Sequence, residues 1–180
     1  MSTPETTALQ IDRPAPLEDS PSGAPSAYHR VLVPLDGSPL AEAVLPFVSR
    51  LARPLGLEVA LLRVVPMVAP TIVEGGTRQI IVDQGQRLAQ EAEDYLRGVA
   101  DRLVADGFRV SRAVRTGEAE AEIIAGAREC QADLIGMMTH GRTGLGRLFF
   151  GSVAEAVLRH ADIPVFVVRA TEGQSASRAA

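Results

Sequence analysis

Five short runs of mostly branched apolar residues recur along this chain, with stretches long enough for helices between them. That alternation restricts the fold more than any other feature. The runs occupy residues 30–36, 58–65, 110–115, 133–138 and 164–168. Nearly continuous apolar runs of this length suit strands buried on both faces. After the first, Ser38 and Pro39 supply a helix cap and a proline at the first helical position. A helix over 38–53 follows, with Ala41, Val44, Leu45, Val48, Leu51 and Ala52 on one stripe, and Pro46 is expected to bend it or shift its start. Residues 79–106 read as a long helix carrying Leu88, Ala92, Tyr95, Leu96, Val99 and Leu103, ended by Gly107 in the left-handed region. Shorter helices are predicted over 118–130, with Ile123, Ile124 and Ala127 inward, and over 152–160. Residues 66–76 and 139–150 read as loops. The resulting β-α-β-α-β-α-β-α-β order predicts an α/β fold: an open five-stranded parallel sheet, helices on both faces, right-handed crossovers. Ligands in such sheets sit beyond the carboxyl ends of the strands, where strand order reverses. The two polar, glycine-bearing exits are Pro34-Leu35-Asp36-Gly37-Ser38 and the segment that follows Met138, so a pocket is expected between them.

Composition narrows the chemistry. The chain has 180 residues, which is one domain, and we expect it to span 29–170 between a Pro- and Ser-rich disordered tail at 1–28 and a short flexible tail at 171–180. A net charge of −4 gives no footprint for nucleic acid. The single cysteine, Cys130, excludes an internal disulfide and a multi-cysteine zinc site. All 18 basic residues are arginine, so there is no Walker A lysine and no Schiff-base nucleophile. His29, His140 and His160 are too scattered for a metal motif. No apolar run approaches the ~20 residues of a membrane span. The first residues lack the basic start and apolar core of an export signal, and the expectation is a cytoplasmic protein without membrane partners.

The segment from Met138 to Ser152 carries the most chemistry. Its glycines fall at 141, 144, 146 and 151, and a helix that Ser152 can cap begins at its end. Glycine at a strand exit lets a phosphate approach the backbone, and a helix start adds free N–H groups and the positive end of the dipole. Arg142 and Arg147 flank the segment. Taken alone, this pattern fits a phosphate site and an ordinary surface loop equally well.

Three segments resemble the universal stress protein family: Val31-Leu-Val-Pro-Leu-Asp-Gly-Ser38, the long stretch from His140 through Gly151-Ser152-Val153 to Glu155, and Val157-Leu-Arg-His-Ala-Asp-Ile-Pro-Val-Phe-Val-Val-Arg169. The resemblance covers about 30–169. It implies a Rossmann-like sheet of the adenine nucleotide alpha hydrolase kind, with strand order 3-2-1-4-5, and in one branch an ATP site, with Mg²⁺, at the switch point. That branch is marked by Gly-x2-Gly-x9-Gly-(Ser/Thr). Gly141, Gly151 and Ser152 match its second glycine, third glycine and hydroxyl residue; Met138 stands where the first glycine belongs. The pattern places that first glycine beside the ribose and the rest around the phosphates. Met138 therefore keeps the phosphate half and puts an adaptable side chain at the sugar, which implies weakened rather than abolished binding.

By the same resemblance Asp36 would accept hydrogen bonds from the adenine or ribose side, and Pro34 and Leu35 would line the adenine pocket. Val64 would pack on the base or belong to the core. Met137, Val153, Arg142 and the backbone near His140 would complete the wall. Asp36 also reads as a turn residue capping the first helix. His140 has no acidic neighbour to make it a general base. Asp133 reads as a turn residue at a strand start, Cys130 as a small buried residue, and Glu118, Glu120 and Glu122 as a solvated helix face.

The last strand, 164–168, would be an apolar edge. An unpaired apolar edge is rare, and pairing with its copy across a two-fold axis would cover both, an arrangement the resemblance also implies. The leading expectation is therefore a small ATP-binding homodimer acting as a stress regulator or sensor, with at most slow hydrolysis. One rival is a family member without nucleotide that works only through an unidentified protein partner. The other is an adenylyl-transferring enzyme, for which no second substrate site or catalytic signature is visible.

Overall fold

The computed structural model describes residues 28–67, 77–139 and 151–169. The expected tails, much of the loop predicted over 66–76, and His140, Gly141, Arg142, Gly144, Gly146 and Arg147 lie outside the described residues. Five strands form the sheet: β1 (Arg30–Pro34), β2 (Glu58–Val65), β3 (Val110–Thr116), β4 (Leu134–Thr139) and β5 (Val165–Arg169). All pairs are parallel and the order is β3-β2-β1-β4-β5, as expected.

Strand alternation divides the apolar residues into two layers. Val31, Val33, Val59 and Leu61 face one way. They pack against Val48 and Ala52 of α2 (Leu45–Leu55) and Leu96, Val99 and Leu103 of α3 (Thr77–Ala105). Leu32, Ala60, Leu62, Ile135 and Met137 face the other way. They meet Ile123 and Ala127 of α4 (Ala119–Glu129) and Ala154 and Val157 of α5 (Ser152–His160). Leu96 is fully buried; cutting such a side chain back to alanine costs about 3 kcal/mol.

The helix expected over 38–53 is two helices. A four-residue α1 (Pro39–Glu42) is followed by a break at Ala43 and Val44, and α2 starts with Pro46 in its first turn. Proline lacks an N–H and clashes with the carbonyl four residues back, so it is accommodated where a helix begins. Ser38 caps α1 as expected, its hydroxyl accepting the Ala41 N–H at 3.1 Å. Gly107 takes φ +86° just beyond α3, as predicted for its stop. The sequence places the other boundaries within one or two residues.

Candidate functional site

The cleft lies where the sheet parts. β1 pairs with β2 along its whole length, and the Leu35 N–H extends that pairing by donating to the Leu62 carbonyl at 2.8 Å. With β4, β1 pairs only at Val31↔Leu134 and Leu32↔Ile135. Beyond those two residues β1 and β4 no longer pair, and a cleft of about 250 Å³ occupies the space between their carboxyl ends. That is close to the lower end for small-molecule sites, roughly 300 Å³.

Nine expected site residues line this one cleft: Pro34, Leu35, Asp36, Val64, Met137, Met138, Gly151, Ser152 and Val153. The other three, His140, Gly141 and Arg142, lie outside the described residues. Val64 packs on the α4–α5 side of the core, one of the two roles considered for it, and also lines the cleft. Ser38, Leu40, Ala41, Leu62, Ala119, Ile123 and Ala154 also line the cleft and were not predicted to. Ser38, Leu40, Ala41, Ala119 and Ala154 lie at helix starts, and that position is the one signal that marks them; Leu62 and Ile123, inside β2 and α4, read as core.

One wall is apolar, with Pro34, Leu35, Leu62, Val64 and Ile123. Asp36 is exposed at its rim and is the one charged residue among the described lining. One carboxylate oxygen, Oδ1, accepts the Ser38 N–H at 2.8 Å; Oδ2 makes no protein hydrogen bond among the described residues. Asp36 is thus the turn residue, while the helix cap is Ser38 alone. Across the cleft stands the start of α5. Its N-cap is Gly151, not Ser152: Ser152 is the first helical residue, and no side chain caps the helix. The first intrahelical bond is donated by the Glu155 N–H to Gly151 (2.9 Å). The N–H groups ahead of it have no partner inside the helix, which is the condition for holding an anion.

Asp133 accepts the backbone N–H groups of His29 (2.6 Å) and Arg30 (2.9 Å), so it ties the start of β1 to that of β4. Burial would raise its carboxyl, but those two bonds outweigh burial and hold it below its ordinary 3.8. Cys130 is only partly buried, and burial raises its thiol pKa, which disfavours the reactive thiolate. The glutamates expected to form a solvated face are engaged in two cases: Glu122 pairs with Arg115, and Glu120 contacts the His160 ring. Among the described residues no group of three His, Cys, Asp or Glu could hold a metal ion. No described helix is long and apolar enough to cross a membrane.

The profile of the universal stress protein family matches residues 27–169. Universal stress protein MJ0531 of Methanocaldococcus jannaschii is 32% identical over 145 residues, covering 79% of this chain and 82% of that protein. The solved structure of MJ0577, from the same organism, has 28% identity and a TM-score of 0.68, covering 80% of this chain and 97% of that one. A universal stress protein in complex with cAMP, at 23% identity and a TM-score of 0.57, covers 79% of this chain and 98% of that one, and speaks for the fold alone. This chain belongs to the universal stress protein family.

Proposed function

We propose that this protein binds an adenine nucleotide, ATP with Mg²⁺, in the cleft between β1 and β4, and acts as a regulator rather than as an enzyme of ordinary turnover. The observation that carries this reading is the convergence of nine expected residues on one cleft at the switch point. The apolar wall accepts the base, Asp36 offers a free carboxylate oxygen to the adenine or ribose side, and the uncapped start of α5 accepts the phosphates with Gly141 and Arg142. The one titratable side chain among the described lining is Asp36, and this reading assigns it to the adenine or ribose side rather than to the phosphates. Hydrolysis, if measured, is expected to be slow. We place the protein in the cytoplasm.

Calorimetric titration with ATP and Mg²⁺, run beside a Gly151→Val variant, tests the site. Micromolar binding that the variant loses supports it. No heat at millimolar ATP, from folded protein free of bound nucleotide, overturns it in favour of a family member working through a protein partner. The homodimer is a separate proposal. β5 pairs only with β4 among the described residues, and its Val165, Phe166, Val167 and Val168 are half-buried. Pairing of β5 with its copy would cover that edge. A monomer mass by light scattering at micromolar concentration overturns it.

A further inference from the structure

Behind the turn that carries Asp36 stands an arginine without an ion-pair partner among the described residues. Arg63 lies on β2, two residues after the buried Leu61 and on the same face of the sheet. It is half-buried, and its guanidinium carbon sits 4.9 Å from the centre of the Tyr95 ring of α3. The guanidinium also lies close to Gly37. A Cβ at that position would come within 2.5 Å of Nη1 and 3.2 Å of Cζ and Nη2. Gly37 itself holds φ +85°, a conformation that side chains resist. A side chain at position 37 is opposed by the backbone, and it would also make the Arg63 guanidinium shift.

We propose that Arg63, stacked on Tyr95 and lying close to Gly37, is a positioning residue that sets the Asp36–Ser38 turn for the base-and-ribose side of the ligand. The proposal rests on the nucleotide-binding reading above. Tyr95 is a firm backstop because the next residue, Leu96, and Val99 a turn later are wholly buried. Glu42, at the end of α1, refers to the same helix. Its carboxylate pairs with Arg102 of α3 at 2.7 Å, and burial together with the Glu42 charge pushes the Tyr95 phenol above its ordinary value. The turn before α1 and the last residue of α1 are therefore both mounted on α3. The Arg63 guanidinium is a planar, permanently charged fork, and neither lysine nor a neutral side chain reproduces that shape. Its effect belongs to Asp36 and not to the phosphates, which the reading assigns to the α5 side.

The test uses full-length protein, an Arg63→Met variant that keeps the stem and loses the fork, and a Tyr95→Leu variant that removes the backstop. Titration with adenosine and with ATP is expected to show about tenfold weaker binding of both ligands by either variant, the loss that follows when a preorganised contact must be ordered on binding. Inorganic triphosphate should compete as it does against the wild type. Adding Arg63→Met to Asp36→Ala should weaken binding no further than Asp36→Ala alone. Hydrogen exchange of the ligand-free protein should speed up at residues 37–41 in Arg63→Met and stay unchanged in β4 and α5. Wild-type affinity in both variants overturns the proposal, as does a loss that adds to that of Asp36→Ala or extends to triphosphate. If the wild type binds no adenosine compound, the nucleotide reading falls, and the exchange data decide Arg63 by themselves: unchanged exchange at 37–41 overturns its hold on the turn, and faster exchange confirms it.

Discussion

At the amino-terminal ends of its strands the sheet is sewn together by its own side chains. At the carboxyl ends it leaves groups open. Among the first, Arg30 of β1 pairs with Glu58 of β2 at 2.8 Å, Ser111 of β3 donates to the same carboxylate at 2.8 Å, and Asp133 before β4 accepts two N–H groups from the start of β1. One polar line crosses four strands there. At the other end Asp36 keeps a free oxygen, α5 starts without a side-chain cap, and β1 and β4 part. Polar groups in a fold are satisfied by the chain, by water or by a ligand. The end that satisfies nearly all of its own, the buried Arg30 Nε excepted, is scaffold, and the end that leaves more of them open is where a ligand can contribute.

The contrast can be broken at either end. Glu58→Ala should cost most, about 2 kcal/mol, because it strands a largely buried Arg30 without its carboxylate. Thermal unfolding should then fall by roughly 6 °C with ligand affinity unchanged; equal losses of stability and affinity would erase the distinction between the ends. Asp133→Ala should cost about 1 kcal/mol through its two N–H bonds, read by urea denaturation.

Acid should act through these same groups. Burial alone would raise the Glu58 carboxyl, but hydrogen bonds from Arg30 and Ser111 with the Arg30 charge hold it below 4.5. Both Glu58 and Asp133 titrate lower in the folded than in the unfolded chain. Their stabilisation is complete above the ordinary values of 4.5 and 3.8 and is lost as pH falls through the lowered ones. Stability should therefore drop steeply in that acid range, and the drop should be shallower in the Glu58→Ala, Asp133→Ala double variant.

At the carboxyl end, Ser38→Ala should cost about 1 kcal/mol as a lost cap. Asp36→Ala should change stability by no more than about 0.5 kcal/mol, as for an exposed residue, while weakening nucleotide binding. Met138→Gly sharpens the picture from the other side: with room restored at the sugar, ATP affinity should rise.

How far the sequence carries can be judged at particular residues. The β2 run at 58–65 is legible to the residue because its apolar run, interrupted only by Arg63, starts after Glu58 and is stopped by Pro66. The split of α1 from α2 is only half legible. Pro46 announces a disturbance, but whether the chain kinks or restarts depends on what it packs against. The role of Gly151 follows from one-residue phasing at the start of α5, which composition does not fix. The glycine-marked exits disclose the cleft, yet Leu62 and Ile123 look like any core residue, and nothing local sets them apart. The stack of Arg63 on Tyr95 joins residues 32 apart and leaves no local trace.

The break ahead of Pro46 has a consequence for how such a protein can change. α1 contributes Leu40 and Ala41 to the cleft wall, and none of its residues is fully buried. α2, just beyond, carries the buried Val48 and Ala52. Substitutions at Leu40, which lines the cleft and is not among the residues packed on the core, can reshape the wall while leaving the apolar layers as they are, so ligand preference and foldability can be tuned partly apart. A single continuous helix would have tied the two together, and each new specificity would have been tried at the risk of the whole fold.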